Sequence, residues 1–299
     1  MKDGLAPIAV FVFNRPDHTR RMLSALKNNN LANDSDLFIF SDGEKDEQTS
    51  HAVSEVRDLI SNITSFKSVT IVEHPKNVGL ASSIISGVDH VVNKFGKVIV
   101  LEDDIVTSPF FLEYMNNALE KYQHSNNVWH ISGWNYPIQD SKLEDTFFWG
   151  TMNCWGWATW EDRWKKFKKR PLELVNTWKK EDIYMFNLDG TYDFWSQVER
   201  NAEGSLDTWA VFWYATIFEN QGLCLNPGTT LVKNIGHDGS GVNCGSDDVY
   251  VGEFGRYLPK LTDDLTVNTQ AVELIKNYYR SLRPSLFQRV RSKIMRALK

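Results

Sequence analysis

Val98-Ile99-Val100-Leu101-Glu102-Asp103-Asp104-Ile105 sets four apolar residues directly before three acidic ones. The apolar run reads as a buried strand, and the acids fall where that strand ends. In an open α/β sheet, ligands bind beyond the carboxyl ends of the strands. Carboxylates in that position can hold a hard divalent cation shared with a phosphate. A solvated acidic turn after a core strand is the plainer reading, and the tripeptide alone does not choose between them.

The chain upstream repeats one pattern. Pro7 to Phe13 is a β-branched and aromatic run that ends at Asn14-Arg15-Pro16-Asp17. Thr19 to Lys27 follows with Met22, Leu23 and Leu26 on one helical face. Leu37 to Phe40 is a second strand, ending in Ser41-Asp42-Gly43, and Thr49 to Ser61 is a helix with Val53, Val56 and Ile60 inward. Val69 to Val72 is a third strand, His74 to Leu80 a loop, and Ala81 to Phe95 a third helix. Strand alternating with helix predicts an α/β, three-layer sandwich with a mainly parallel central sheet. Asn14, Arg15, Asp42, Lys76 and the acidic triplet all follow strand ends, so one rim can gather them.

Downstream, Pro109 to Gln123 reads as a helix with Ser108 as its N-cap and Pro109 at its first position. Val128 to Ser132, Leu223 to Pro227 and Thr230 to Lys233 read as strands, and Asp207 to Asn220 as an aromatic helix. Phe147 to Trp164 is crowded with Trp149, Trp155, Trp157, Trp160 and Trp164. Trp155 and Trp157 suit the wall of a sugar site, although most tryptophans are core residues. His237, in a polar Gly-rich loop, is placed to reach a phosphate or a metal. His130 sits in an apolar run and reads as structural, whereas His18 and His124 read as surface residues. Asp207 lies between Leu206 and Trp209; it is either a base in an apolar setting or a helix N-cap. Asp247-Asp248 reads as a solvated loop.

Composition narrows the function. The chain has 299 residues, 42% hydrophobic and 24% charged, enough to bury a large core. A net charge of −5 argues against a nucleic-acid partner. Cys154, Cys224 and Cys244 form neither a zinc spacing nor a disulfide framework, which fits a reducing compartment. The start of the chain carries no signal-peptide pattern, so a cytoplasmic location is expected. Residues 280–299 differ in kind, with seven Lys and Arg residues and no acid. Leu286, Val290, Ile294 and Leu298 recur there at helical spacing after Pro284. A basic amphipathic helix of this kind lies in an anionic membrane interface, here the inner face of the cell membrane; a terminal helix docked on the acidic domain, or a frayed tail, is the plainer alternative.

The ordered motifs resemble those of GT-A glycosyltransferases, especially the N-acetylglucosaminyltransferase I-like branch. The likeness is carried by Val98 to Ile105, Pro109-Phe110-Phe111-Leu112-Glu113-Tyr114, Ser132-Gly133-Trp134-Asn135, Cys154-Trp155-Gly156-Trp157, Leu206-Asp207-Thr208-Trp209 and Gly236-His237-Asp238-Gly239. Lys76-Asn77-Val78-Gly79-Leu80-Ala81 is similar to the broad bacterial GT-A sugar transferases. The resemblance implies a GT-A-type Rossmann-like domain over 1–279, with a nucleotide half (1–106) and an acceptor half (107–279). It further implies a metal-dependent inverting transfer from a UDP-sugar to a glycan; the basic tail, if it lies on the membrane, would place the active site by a lipid-linked glycan such as a growing surface polysaccharide. On it, Asp104 ligates Mn²⁺ or Mg²⁺, Asp103 meets the ribose or supports the metal, and Glu102 faces the donor sugar. Asp42 accepts from uracil, Arg15 lines the nucleotide pocket, and Asp207 is the general base. Two positions depart from the pattern: Thr208 replaces a second Asp, and the loop around Lys76 matches loosely. A sugar-nucleotide nucleotidyltransferase and a non-catalytic carbohydrate-binding protein are the alternatives; the first would carry a Gly-rich basic loop where this chain has Asn14-Arg15-Pro16.

Overall fold

The computed structural model describes residues 4–138, 140, 143–239 and 254–283. The basic tail beyond Arg283, Cys244 and Asp247-Asp248 lie outside the described residues.

Among the described residues, eight strands form one mixed, mainly parallel sheet. The first four are β1 (Ile8–Val12), β2 (Asp36–Ser41), β3 (Ser68–Glu73) and β4 (Lys97–Glu102). They are joined by α1 (Pro16–Lys27), α2 (Glu47–Ser61) and α3 (Leu80–Phe95). β1 pairs in parallel with both β2 and β4, and β2 with β3. All five residues of β1 are buried, which is why this strand is apolar without alternation. The helices bury the stripes read from sequence: Met22, Leu23 and Leu26 in α1, and Val53, Val56 and Ile60 in α2.

The spatial order β3-β2-β1-β4 reverses direction at β1. Right-handed crossovers therefore put α1 and α2 on one face and α3 on the other. The gap beyond the carboxyl ends of β1 and β4 is the topological switch point, where such sheets bind ligands.

Residues beyond β4 extend the sheet. Here lie β5 (Ile105–Thr107), α4 (Phe111–Lys121), β6 (Val128–Ser132), β7 (Thr146–Trp149) and β8 (Trp157–Trp160). Short helices α5 (Glu161–Trp164), α6 (Pro171–Thr177) and α7 (Lys180–Phe186) follow, then α8 (Trp195–Ala202) and α9 (Ala210–Glu219). β9 (Leu223–Pro227), β10 (Val232–Asn234) and α10 (Thr269–Ser281) complete the described elements. β8 runs antiparallel between β4 and β6, β9 is parallel to β6, and β7 is antiparallel at the edge. β5 and β10 form a separate antiparallel pair beside the acidic triplet.

Several expectations are corrected. The run Phe147 to Trp164, to which no element is assigned from the sequence, overlaps two strands, β7 and β8, each buried along its length. The helix expected from Pro109 begins at Phe111 instead. Pro109 gives its carbonyl to the Asn30 N–H at 2.9 Å, and the Asn29 side chain accepts from Leu112 N at 3.0 Å. A distant asparagine thus satisfies the helix start that Ser108 was expected to cap. α9 begins at Ala210 with no side-chain cap, so Asp207 is not its N-cap. α10 runs through Ser281, past the expected boundary at 279, and buries Tyr279. Two of the tail's cations are engaged with the domain: Arg283 donates to the carbonyls of Gly190 and Thr191, and Arg280 to Asn277.

Candidate active site

The sheet register builds the rim. Phe11 pairs with Glu102 and Val12 with Ser41. Asn14-Arg15, Asp42 and Asp103-Asp104 therefore leave three neighbouring strands on the same edge. Pro16 opens α1 immediately after Arg15 and keeps the link from β1 short.

Arg15 meets both aspartates. Its Nη2 donates to Asp104 Oδ2 at 2.9 Å and also to Asp103 Oδ1, while its Nε lies 3.3 Å from Asp103 Oδ2. Both carboxylates are buried, and Glu102 is half-buried beside them. Burial pushes the Glu102 carboxyl up to about 8, helped by repulsion from Asp104 and Asp103 and opposed by Arg15. Burial raises Asp103 to about 6, with Arg15 pulling the other way. Burial works against the Arg15 charge, but the two aspartates outweigh it and hold the guanidinium protonated.

A loop lies across this cluster. Ile235 N donates to the Asp104 carbonyl at 2.9 Å, and Gly236 N to Asn234 Oδ1 at 2.7 Å. A Cβ on Gly236 would stand 2.3 Å from Asp104 Oδ2 and 3.0 Å from Arg15 Nη1, so any side chain there would have to displace the Asp104 carboxylate. His18 Nε2 lies 3.2 Å from both the Ile235 carbonyl and the Asp238 carboxylate. Both are acceptors, so Nε2 carries the proton. His18 thus ties the loop down rather than sitting at the surface, as the sequence suggested; His124 is exposed as expected. His237 sits in the same loop, its ring centroid 5.4 Å from that of Trp155 in an edge-to-face arrangement.

Asp42 takes a different part from the one the resemblance implies. Oδ1 accepts from the N–H groups of Gly43 and Val78, both at 2.9 Å. Oδ2 accepts from Asn77 Nδ2 at 3.0 Å and Gly79 N at 3.1 Å. A carboxylate has about four acceptor positions, and the chain fills them all. Asp42 therefore braces the 77–79 loop rather than offering an open acceptor to a base. Lys76 and Asn14 stand at the rim, Lys76 exposed and Asn14 half-buried.

A cavity of about 590 Å³ opens next to the triplet. Its lining includes the polar residues Glu102, Asp104, Gln197, Arg200, Asp207 and His237 and the aromatic residues Trp134, Tyr136, Trp155, Phe194 and Tyr279. Trp155 is half-buried and stacks edge-on to Trp134 at 4.7 Å. Trp157 does not line the cavity. It is 1% exposed and stacked between His130 at 5.5 Å and Trp209 at 5.2 Å, so the wall role expected for it is withdrawn. His130 is structural, as read: Nδ1 accepts from Trp213 at 3.2 Å, Nε2 is 3.0 Å from the Asn153 carbonyl, and burial lowers it to about 3. Tyr136 and Tyr279 were not singled out from the sequence; their hydroxyls meet at 2.6 Å. Nothing local marks them, because 143 positions separate the pair.

Asp207 reaches the cavity from the polar side. The apolar setting expected for it is absent: its side chain is 66% exposed and ion-paired with Lys169. The apolar neighbour Trp209 turns into the core, while Thr208 bonds Asn201 and anchors the turn. That leaves Asp207 at the mouth.

The donor set suits a hard cation. Among the described residues, no three His, Cys, Asp or Glu side chains form a ready-made metal cluster. Asp103 and Asp104 supply two hard oxygen ligand groups, which is what Mg²⁺-like sites use when substrate phosphates and water complete the shell.

The model of glycosyl transferase family 2 matches residues 8–183. It is the broad family that matches; the narrower N-acetylglucosaminyltransferase I likeness rests on its motifs alone. No curated protein matches the chain. Among solved structures, the chain is similar to the mannosyltransferase PcManGT from Pyrobaculum calidifontis in complex with GDP-Man and Mn²⁺. The identity is 15% and the TM-score 0.35, over 54% of this chain and 48% of that one. It is also similar to S. aureus TarS, at 12% identity and a TM-score of 0.31, over 47% of this chain and 24% of that one. The chain thus spans about half the length of the first and a quarter of the second.

Proposed function

The chain belongs to glycosyl transferase family 2, and on that premise we propose that it is a metal-dependent, inverting transferase that moves a sugar from a UDP-linked donor to a glycan. Family membership supports a nucleotide-sugar glycosyltransferase over the nucleotidyltransferase and carbohydrate-binding alternatives. The observation that carries the rest is the register of β1 and β4. It sets Arg15 beside Asp103 and Asp104 at the switch point, with a sugar-sized cavity opening from Glu102 and Asp104 toward Asp207.

Each residue then has a task. Asp104, supported by Asp103, would hold Mn²⁺ or Mg²⁺, which when bound offsets the negative charge that grows on the departing diphosphate. Glu102, at the end of β4, faces the donor sugar. Trp155 and Trp134 offer aromatic faces that orient a sugar ring. Asp207 takes the proton from the acceptor hydroxyl as that oxygen attacks the anomeric carbon. The bond from that carbon to the diphosphate oxygen breaks on the opposite side, so the configuration inverts. Lys169 holds Asp207 at the mouth in the absence of acceptor. The UDP assignment draws on the motif resemblance, since Asp42 is occupied with its own loop.

We further take the acceptor to be lipid-linked and the enzyme to sit on the inner face of the cell membrane. The support is the basic amphipathic pattern of the tail, which lies outside the described residues. No helix among the described residues is long and apolar enough to cross a membrane. The functional test is release of nucleoside diphosphate from a panel of sugar nucleotides with Mn²⁺ present. Release from a UDP-sugar, abolished in Asp104→Ala, supports the reading; release from no sugar nucleotide overturns it.

A further inference from the structure

We propose that Arg15 is a built-in cation that occupies the metal-binding carboxylates until a nucleotide diphosphate draws it away. Metal and diphosphate then enter the site together. This rests on the nucleotide-sugar reading above.

Three observations carry it. Arg15 bridges the two aspartates, with contacts of 2.9 Å to Asp104 and 3.3 Å to Asp103. The guanidinium is largely enclosed, with 18% of its side chain exposed against 6% and 7% for the aspartates. Finally, the loop at Gly236 packs so closely on Asp104 Oδ2 and Arg15 Nη1 that a methyl group there would displace the carboxylate. The aspartate oxygens are therefore crowded while Arg15 is seated, and a metal ion must compete with a charge already there.

A diphosphate resolves the competition. Phosphate oxygens match the guanidinium fork as well as carboxylates do. Arg15 lies on the rim where a diphosphate would lie, so it can exchange its aspartate partners for phosphate oxygens. The exchange frees the carboxylates as phosphate oxygens become available to complete a metal's shell. Because binding linkage is reciprocal, each ligand then strengthens the other by the same factor. A purely structural ion pair makes a different prediction: its loss weakens the fold and gives no gain in metal affinity.

The test is Mn²⁺ binding to the full chain, followed by loss of the free-ion electron paramagnetic resonance signal, alone and with UDP or GDP. The wild type should bind Mn²⁺ weakly alone and about tenfold or more tightly with nucleotide. Arg15→Met should bind Mn²⁺ alone about tenfold or more tightly than wild type, with the nucleotide effect correspondingly reduced. Arg15→Lys should fall between, because an ammonium cannot bridge both carboxylates as the fork does. Circular dichroism checks that the variants fold; if Arg15→Met does not, Arg15→Lys carries the comparison. Variants that bind Mn²⁺ alone no more tightly than wild type overturn the proposal. If nucleotide changes Mn²⁺ binding in none of the three proteins while Arg15→Met keeps its gain, the nucleotide-sugar reading falls and the competition between Arg15 and metal stands.

Discussion

Asp42→Asn separates bracing a loop from binding a base. The substitution keeps shape and leaves no cavity, so its effect is confined to hydrogen bonding. The new amide can keep one oxygen toward Gly43 N and Val78 N. Its NH₂ group then faces Asn77 Nδ2 and Gly79 N, which are both donors. Asn77 can turn its own carbonyl to the new donor, but the backbone N–H of Gly79 cannot turn. One charge-assisted bond is lost outright and the others weaken, at about 1.5–3 kcal/mol for a hydrogen bond to a charged group. The expected loss is therefore about 2–4 kcal/mol of unfolding free energy. Urea denaturation measures it, and proteolysis around 77–79 should report a loosened loop. If Asp42→Asn leaves stability within about 0.5 kcal/mol, the bracing account is wrong, because only surface changes behave that way.

Further outcomes follow from the same site. Asp207→Asn should keep the fold, since exposed ion pairs contribute only about 0–1 kcal/mol, yet lose about 10²–10⁴ in turnover; near-normal kcat would remove Asp207 as the base. Glu102 and Asp103 titrate upward in the folded chain, from 4.5 to about 8 and from 3.8 to about 6. The folded state thus binds more protons across that window, and the stability tied to those protons is complete below 3.8 and lost as pH rises to about 8. Melting scans without metal should show this fall, and Mn²⁺ should raise the melting temperature more at the alkaline end than at the acid end; an equal rise at both ends contradicts it. Trp157→Ala should cost about 3–5 kcal/mol in denaturant melts as a buried aromatic. Trp155→Ala, half-exposed in the cavity, should cost less and raise KM for the acceptor.

The first half of the molecule was legible because its physics is local. Apolar runs, helical stripes and strand-end polar residues each depend on a few neighbouring positions, and they located β1 to β4, α1 to α3 and the rim. The second half was less so. β7 and β8 are buried along their length, and such strands carry no alternation to tell them from other aromatic runs. The start of α4 was misplaced because its cap comes from Asn29, far back in the chain. Trp155 and Trp157 look alike in sequence, and strand alternation alone would put residues two apart on one face; Trp155 lies before β8, across Gly156 at a φ of +62°, so it lines the cavity while Trp157 enters the core. Asp42 was found, but its partners at 77–79 appear only once β2 and β3 are paired. The contact of Gly236 with Asp104 likewise depends on the pairing of β5 with β10.

The central claim is that Asp104 anchors a metal on which nucleotide binding depends. Calorimetric titration of UDP into the wild type and Asp104→Ala, with Mn²⁺ and with a chelator, tests it most directly. Binding to the wild type with Mn²⁺, lost in chelator and lost in Asp104→Ala, is the predicted result. Equal UDP binding in chelator, or an Asp104→Ala variant that binds as the wild type does with Mn²⁺, would contradict it.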